Sequence, residues 1–406
     1  MEQTRITPDR ITSLKDNEIF VFGSNKEGMH GGGAARIAYE DFGAEWGVGI
    51  GMTGQCYAIP TMDRSIDIIR RHVDDFTAYA KSHPALTFLV TPIGCGIAGW
   101  RVEEIAPLFG AAAELANVTL PESFWKVLKM SDMDAVISRH SVRRYLDRKL
   151  PVNVLNSLRS EIANVNAEGN LHVQLVTDEP LAFSGVMAYG KFSGVKNYLV
   201  MAGCKSADLD ERIGYYGERL VLLAQRLGLN SCWAGISYRK VFGTYSLEAD
   251  EKICCYIAIG YGETPGVQHK SKSVNDVSNA SSRTPDWFRK GVESALLAPT
   301  AVNQQKFFLE FLGGEPLPQV RITRGVSLIG YTKMDKGIVK LHFELAAGHQ
   351  SPPAGECQRV LSHWGSHAVG EFGHLVLKLP AKQKWCKKGA NFTQNVSKMK
   401  IGVKNA

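Results

Sequence analysis

The sequence predicts two kinds of architecture in one chain: an N-terminal α/β unit, then an α+β part made of two lobes. Three observations lead there. Over the first 128 residues, short apolar runs ending in glycine-rich turns alternate with amphipathic stretches, the pattern of strands joined through helices. A second series of helices and apolar runs starts at Ser131 and Asp132, residue types that cap helix N-termini. Residues 268–283 are polar, Ser- and Asn-rich and aperiodic, and so read as a linker dividing that second series.

In order, EIFVFGS (18–24) reads as a buried strand broken at Gly23, and a glycine-rich turn leads into the helix AARIAYEDF. The strand CYAIP (56–60), an amphipathic helix from about Ser65 to Ala80 and the strand LTFLVT (86–91) follow. IGCGIAGW (93–100) opens the helix VEEIAPLFGAAAEL, and the apolar stretch FWKVL closes the unit near residue 128. Lobe one, 129–267, holds the helix DMDAVISRH, the stretch RHSVRRYL and a helix launched at Pro151, where proline's fixed φ suits a first turn. Its strands are HVQLV (172–176), VKNYLVMAG (195–203) and CCYIAIG, with a long helix ending at Asn230 and then the loop NSCWAG. Lobe two, 284–350, holds the helix DWFRKGVESALLA, the turn APTAVNQQ (298–305), the strand KFFLEF and a helix that stops at Gly348. SPPAGE (351–356) then breaks into a basic tail, 351–406, expected to be poorly ordered.

The 406 residues are 44% hydrophobic and 21% charged, the balance of a globular protein long enough for two or three domains. The formal charge of +7 is concentrated: nine Lys or Arg and one acid lie between Cys357 and Ala406, leaving residues 1–356 close to neutral. A nucleic-acid partner is therefore not expected of the folded part. No apolar run approaches the roughly 20 residues that span a bilayer, and MEQTRITPDR lacks the order of a signal peptide. A cytoplasmic location without membrane contact is expected. The eight cysteines form no CxxC and no metal-ligand spacing, so no metal site is expected.

Four stretches, RHSVRRYL, GERLVLLAQRLGLNSCWAG (217–235), IAIGYGETP (257–265) and APTAVNQQ, resemble the FMN-dependent nitroreductase superfamily in order and spacing. Within it the chain is similar to the TM-nitroreductase family, in which two degenerate lobes of one chain mimic a homodimer. The resemblance implies a nitroreductase-like α+β pseudo-dimer over 129–350. It implies that Arg139, Ser141 and Arg143 hold the FMN phosphate, a dianion suited to bidentate guanidinium groups. It also implies that His140 lies along the flavin and that the backbone of Trp233, Ala234 and Gly235 faces the isoalloxazine. Glu218 reads as structural, paired within its own lobe. In the homodimeric relatives, Arg-x-Ser-x-Arg and the Asn motif come from different subunits. Here lobe one has RHSVR but reads SEIANVNAEGN where the Asn motif should follow, while lobe two keeps APTAVNQQ but has SSRTPDW before its helix. One composite FMN site per chain follows, with Asn303 on the flavin or its ribityl chain, Thr300 and Gln305 nearby, and no homodimer required. The implied reaction is ping-pong hydride transfer from NADH or NADPH to a small-molecule acceptor such as a quinone or nitroaromatic. The cofactor carries that chemistry, so no catalytic side chain is assigned.

Residues 18–110 resemble a macrodomain, the ADP-ribose-binding fold, through FVFGSN (20–25), HGGGAA (30–35) and IGCGIAGW. A three-layer α/β macro-like domain over 1–128 is implied. Glycine-rich loops at helix N-termini offer bare amides to a diphosphate. Asn25 and His30 are the implied ribose contacts, and Gly31, Gly32 and Gly33 allow close approach. Gly94, Cys95, Gly96, Ile97 and Gly99 wrap the phosphates from the other side. IGCGIAGW is similar to the GCG loop of terminal ADP-ribose glycohydrolases, which use a Lys and an Asp where Met62 and Ala98 stand here, so binding is implied rather than hydrolysis. Two other readings stay open: a non-redox ADP-ribose sensor with a vestigial flavin lobe, and an ADP-ribosyl hydrolase.

Overall fold

The computed structural model describes residues 5–63, 65–184, 191–313, 318–348 and 376–378. In the N-terminal unit β1 (Glu18–Ser24) leads into α1 (Gly33–Asp41), and β2 (Gly51–Thr53) and β3 (Cys56–Pro60) form a hairpin. After α2 (Ile66–Ser82) and β4 (Thr87–Val90) come α3 (Val102–Ile105), a 3₁₀ turn over Ala106–Phe109, and α4 (Gly110–Ala113). β5 (Val118–Thr119) and α5 (Glu122–Leu128) complete the unit. The strands form one sheet in the order β2-β3-β1-β4-β5, parallel except for β2. One stripe of α2, Ile66, Ile69, Val73, Phe76 and Ala80, is buried at helical spacing. It packs on Val21, Phe88 and Phe109. VEEIAPLFGAAAEL, expected as one helix, is broken at Pro107, which lacks the N–H a continuous helix needs. FWKVL is helical, as the end of α5.

Lobe one consists of α6 (Asp132–Ser138), α7 (Val152–Gly169), β6 (Gln174–Val176), β7 (Asn197–Cys204), α8 (Leu209–Arg226), β8 (Asn230–Ala234) and β9 (Glu251–Gly260). Its antiparallel sheet runs β6-β7-β9-β8. Ser131 and Asp134 form a capping box that starts α6. NSCWAG, expected as a loop, is mostly β8, an outer strand of this sheet. The linker contains one helical turn, α9 (Val274–Val277), with a capping box from Ser273 and Asp276.

Lobe two holds α10 (Asp286–Ala295), β10 (Phe307–Gly313), β11 (Gln319–Arg324), α11 (Thr332–Ala346) and β12 (Val376–Lys378), with sheet order β10-β11-β12. Apart from β12, the tail, and with it the expectation of poor order, lies outside the described residues. Among the described residues no helix is long and apolar enough to cross a membrane.

The lobes meet where α8 crosses α11, and the contact is reciprocal. A Cβ on Gly214 would lie 2.0 Å from the carbonyl oxygen of Met334, three residues before Gly337. A Cβ on Gly337 would lie 2.0 Å from the carbonyl oxygen of Glu211, three residues before Gly214. Each glycine thus faces a backbone carbonyl three residues before the other. Charged groups line this seam: Lys336 Nζ is 3.1 Å from Glu211, and Tyr215 Oη donates to Glu344 at 2.7 Å. Burial holds Lys340 down to about 8 and pushes the Glu344 carboxyl up.

The N-terminal unit docks on lobe one through Glu104, which is 4% exposed and accepts from Arg148 at 2.5 Å on both oxygens. The Arg148 guanidinium also lies 5.2 Å over the Trp100 ring, at the end of IGCGIAGW.

Candidate functional site

α6 stops at Ser138 because Arg139 turns extended, with ψ 124°. The chain then runs along the open edge of β8: Ser141 lies opposite Ser231, and the Val142 N–H donates to Ser231 O at 3.0 Å. Strand alternation puts the Trp233 backbone on this same edge, beyond the stretch that RHSVR covers. Arg143 is exposed, while His140 and Ser141 are half-buried. Burial, then the charges of Arg139 and His269, hold the His140 imidazole below its ordinary value.

Arg139 behaves differently from Arg143. It is 3% exposed, and its guanidinium turns inward to the lobe seam rather than outward as an open phosphate grip. Nη2 donates to Leu297 O at 3.4 Å, and Nε, which has no hydrogen-bond partner, lies 3.6 Å from Glu218 Oε1. Glu218 is fully buried; Oε2 accepts from Trp233 Nε1 at 2.9 Å and Oε1 lies 2.9 Å from His342 Nε2. The expectation that Glu218 pairs only within its own lobe is corrected: His342 belongs to α11, in lobe two. Helical spacing turns both residues into the seam.

In APTAVNQQ, Ala301–Asn303 form a 3₁₀ turn, and Val302, Asn303 and Gln305 take positive φ values of 47°, 56° and 44°. Left-handed backbone is costly for a β-branched residue such as Val302. Asp335, 4% exposed in the first turn of α11, holds the turn: it accepts from Ala301 N at 2.9 Å and Gln304 Nε2 at 2.7 Å. Burial pushes its carboxyl up to about 6. Thr300 Oγ1 accepts the Gln305 N–H at 3.0 Å. Asn303 Nδ2 and Gln305 Nε2 both donate to Lys270 O at 2.8 Å, and Gln305 Oε1 accepts from Lys272 N at 2.9 Å. These amides therefore grip the linker.

The linker thus crosses between the two motifs. Gly266 lies against His140, where a Cβ would come within 2.8 Å of the histidine Cβ, and His269 Nε2 is 3.0 Å from Leu296 O. The Trp233–Gly235 edge reaches the same region: a Cβ on Gly235 would lie 2.6 Å from Tyr331 Cζ, and Gln304 Nε2 donates to Gly330 O at 3.2 Å. Sequence reasoning missed Lys270, Lys272, Tyr331 and Asp335. The one available signal was the pair of lysines in an otherwise polar, weakly charged linker. Buried Asp335 gave none.

Residues 132–347 match the family described as "Putative TM nitroreductase". The chain belongs to this nitroreductase family. The match starts with α6 and ends just past α11, so it takes in both lobes and the linker of the nitroreductase part. Among solved structures, the chain is similar to a Thermotoga maritima nitroreductase of like description, 24% identical over 53% of this chain and 83% of that one, with a TM-score of 0.37. It is also similar to an FMN-dependent nitroreductase from Clostridium difficile R20291, 17% identical over 36% and 94%, with a TM-score of 0.28. A nitroreductase family protein from Clostridium difficile 630 is 17% identical over 32% and 84%, with a TM-score of 0.26. No curated protein matches the chain.

The N-terminal unit precedes the nitroreductase match, and its two glycine loops adjoin: Gly32 sits where a Cβ would be 3.3 Å from Ile97 Cδ1. Gly31, Gly96 and Gly99 have open space at the Cβ position, and Ile97 is 78% exposed. The two implied ribose contacts are occupied internally. Asn25 bonds Met29 N and O through its carboxamide, both at 2.9 Å. His30 is 1% exposed, with Nε2 3.1 Å from Glu45 O and its ring edge-on to Phe22. Gly33 starts α1 and Gly94 backs onto Ile105 and Thr61, while burial pushes the Cys95 thiol up to about 12.

Proposed function

We propose that this nitroreductase is an FMN-dependent NAD(P)H oxidoreductase with one composite flavin site per chain, at the seam of a pseudo-dimer. The observation that carries the reading is the 3.4 Å contact of Arg139 with Leu297 O, across 158 residues of sequence. It sets the start of RHSVR beside the start of APTAVNQQ. The residues present fit FMN. Ser141, Arg143, Lys270 and Lys272 supply a hydroxyl and exposed cations for a phosphate dianion. The Trp233 edge supplies backbone N–H and C=O groups, and the buried Arg139, ion-paired with Glu218, fixes the start of RHSVR. Bound FMN would supply hydride acceptance from NAD(P)H and its delivery to a conjugated acceptor. The chain's own part is to bind, orient and shield. Asn303 and Gln305 fix the linker so that Lys270 and Lys272 stand beside the motif, and Asp335 fixes the turn that carries them.

Two further observations support a single site. Ser160–Gly169, which takes the place of the Asn motif in lobe one, is continuous helix within α7. The glycine seam is reciprocal, as a duplicated lobe pair requires. The N-terminal unit is proposed to bind ADP-ribose or a related nucleotide where Gly31–Gly33 and Gly94–Gly99 adjoin, through backbone amides rather than through Asn25 or His30.

Purified protein should be yellow, bleach on addition of NADH or NADPH, and carry one FMN per chain. Two flavins per chain, or a chain that takes up none, would sink the reading. Asn303→Ala should lower FMN affinity on the order of 10-fold by removing one of the two amide bonds that hold Lys270; an unchanged affinity removes the composite site. Calorimetry with ADP-ribose tests the N-terminal unit separately.

A further inference from the structure

We propose that Glu218 is a positioning residue of the flavin site: one buried carboxylate sets Arg139 and the Trp233–Gly235 edge in register with lobe two. The proposal rests on the flavin reading above. Three nitrogen groups converge on Glu218 from three elements: Trp233 Nε1 at 2.9 Å, His342 Nε2 at 2.9 Å and Arg139 Nε at 3.6 Å. Trp233 lies in β8, His342 in α11 and Arg139 directly after α6. A carboxylate accepts only and has room for all three, whereas a carboxamide must turn an N–H toward one of them. A buried carboxylate without a counterion is strongly disfavoured, and Arg139, itself 3% exposed, is the adjacent cation.

The ties continue outward. Arg139 Nη2 reaches Leu297 O, one residue ahead of APTAVNQQ. Ser294 Oγ donates to His342 O at 2.7 Å, and His342 Nδ1 is 3.2 Å from Ser294 O, which locks α11 to α10. Arg139 opens RHSVR, Trp233 opens the Trp-Ala-Gly edge, and Leu297 precedes the Asn motif. Three of the segments proposed to surround the flavin are therefore tied to Glu218 directly or through Arg139. Moving this carboxylate moves all three segments together. A residue serving only the packing of lobe one would lack the ion pair with Arg139 and the bond to lobe two.

The test is Glu218→Gln in the full chain, with FMN affinity read from flavin fluorescence. The carboxamide mismatches one donor and leaves Arg139 uncompensated, so affinity falls on the order of 10-fold or more. Glu104→Gln, which breaks the pairing of another buried carboxylate with an arginine, Arg148, between the N-terminal unit and lobe one, is the control; it should lower the melting temperature yet keep FMN affinity within about twofold. Independently of flavin, the Trp233 indole N–H resonance, identified by its loss in Trp233→Phe, should shift upfield in Glu218→Gln. If Glu218→Gln affects FMN affinity no more than Glu104→Gln does, or leaves the indole resonance in place, Glu218 only stabilises the fold and the proposal is overturned. Should Glu218→Gln fail to fold, Trp233→Phe decides, since it removes one donor and keeps an aromatic ring; unchanged FMN affinity there overturns the proposal. A wild-type chain that takes up no FMN instead overturns the flavin reading, and the indole resonance then decides the role of Glu218 alone.

Discussion

Gly337→Ala is the most direct probe of the lobe seam. The new Cβ would stand 2.0 Å from Glu211 O and 2.7 Å from Tyr215 N, where ordinary contact begins at 3.4 Å. The obstacle is helix backbone, which cannot rotate aside as a side chain can, so α11 must withdraw from α8 by more than an ångström. A withdrawal of that size stretches His342–Glu218 from 2.9 Å and Lys336–Glu211 from 3.1 Å beyond useful bonding. Overpacking costs about 1–3 kcal/mol, and leaving a buried charged acceptor short of a donor costs about 1–3 kcal/mol more. For a domain of this size each kcal/mol lowers the melting temperature by roughly 2–4 °C, so Gly337→Ala should melt on the order of 10 °C lower. Gly214→Ala, the reciprocal position, should do the same. The double variant should lose less than the sum, because helices already parted by one methyl accommodate the second. Circular-dichroism melting reads all three, with Gly110→Ala, a helical glycine with open space around it, as control. If Gly337→Ala melts within about 1 °C of that control, the helices are not in backbone contact and the seam is wrongly drawn.

Asp335 predicts a pH dependence of defined sign. Its folded value of about 6 lies above the ordinary aspartate value of about 3.9, so between these pH values the folded state holds the proton more tightly. Its contribution is therefore most favourable below about pH 4 and declines as pH rises toward 6, by on the order of 2–3 kcal/mol. Urea unfolding of wild type and Asp335→Asn from pH 4 to 7 should show the difference shifting toward the variant by that amount; a constant difference refutes the assignment. Val302→Gly should stabilise the chain by about 1 kcal/mol, because φ of 47° is costly for valine and free for glycine, and the side chain is 73% exposed. A lower melting temperature in Val302→Gly would mean that its side chain makes contacts worth more than the strain.

Much of this was legible because local rules act alone where it was read correctly. The glycine turns after β1 and β4, the apolar stripe of α2 and the capping box at Ser131 are decided within a few residues of sequence. β11 is legible too, in the alternation of QVRITR with Val320 and Ile322 buried. β8 was hidden because Asn230 and Gly235, which bracket it, are turn formers, and only pairing with β9 makes the stretch a strand. The start of α11 was hidden differently. Tyr331 enters it at φ 60° without a side-chain cap, and Lys336 and Lys340 look solvent-facing although both are under 10% exposed. No local window of sequence can show that Glu211, 125 residues away, waits beside Lys336. The same distance problem hid the turn of Arg139 away from solvent, since its partners Glu218 and Leu297 lie on other elements.

The seam also bears on the proposal of one flavin per chain. Superposing Gly214 on Gly337 makes α8 and α11 counterparts, and their backbone contacts at the crossing are reciprocal. Their side-chain contacts are not. Four residues on, Glu218 corresponds to Leu341, which is buried against Ala135, Val136 and Leu222. Five residues on, Arg219 corresponds to His342, yet Arg219 turns outward to pair with Glu161 and Glu168 of α7. At these positions the seam thus carries a carboxylate with its converging donors on α8 and aliphatic packing on α11. A second site would need another carboxylate at Leu341, a donor turned inward at Arg219, and a turn in place of the helix at Ser160–Gly169. Glycine at the crossing is needed by both halves to bring the backbones together, so it is kept twice. The polar network serves only the half that begins at Arg139.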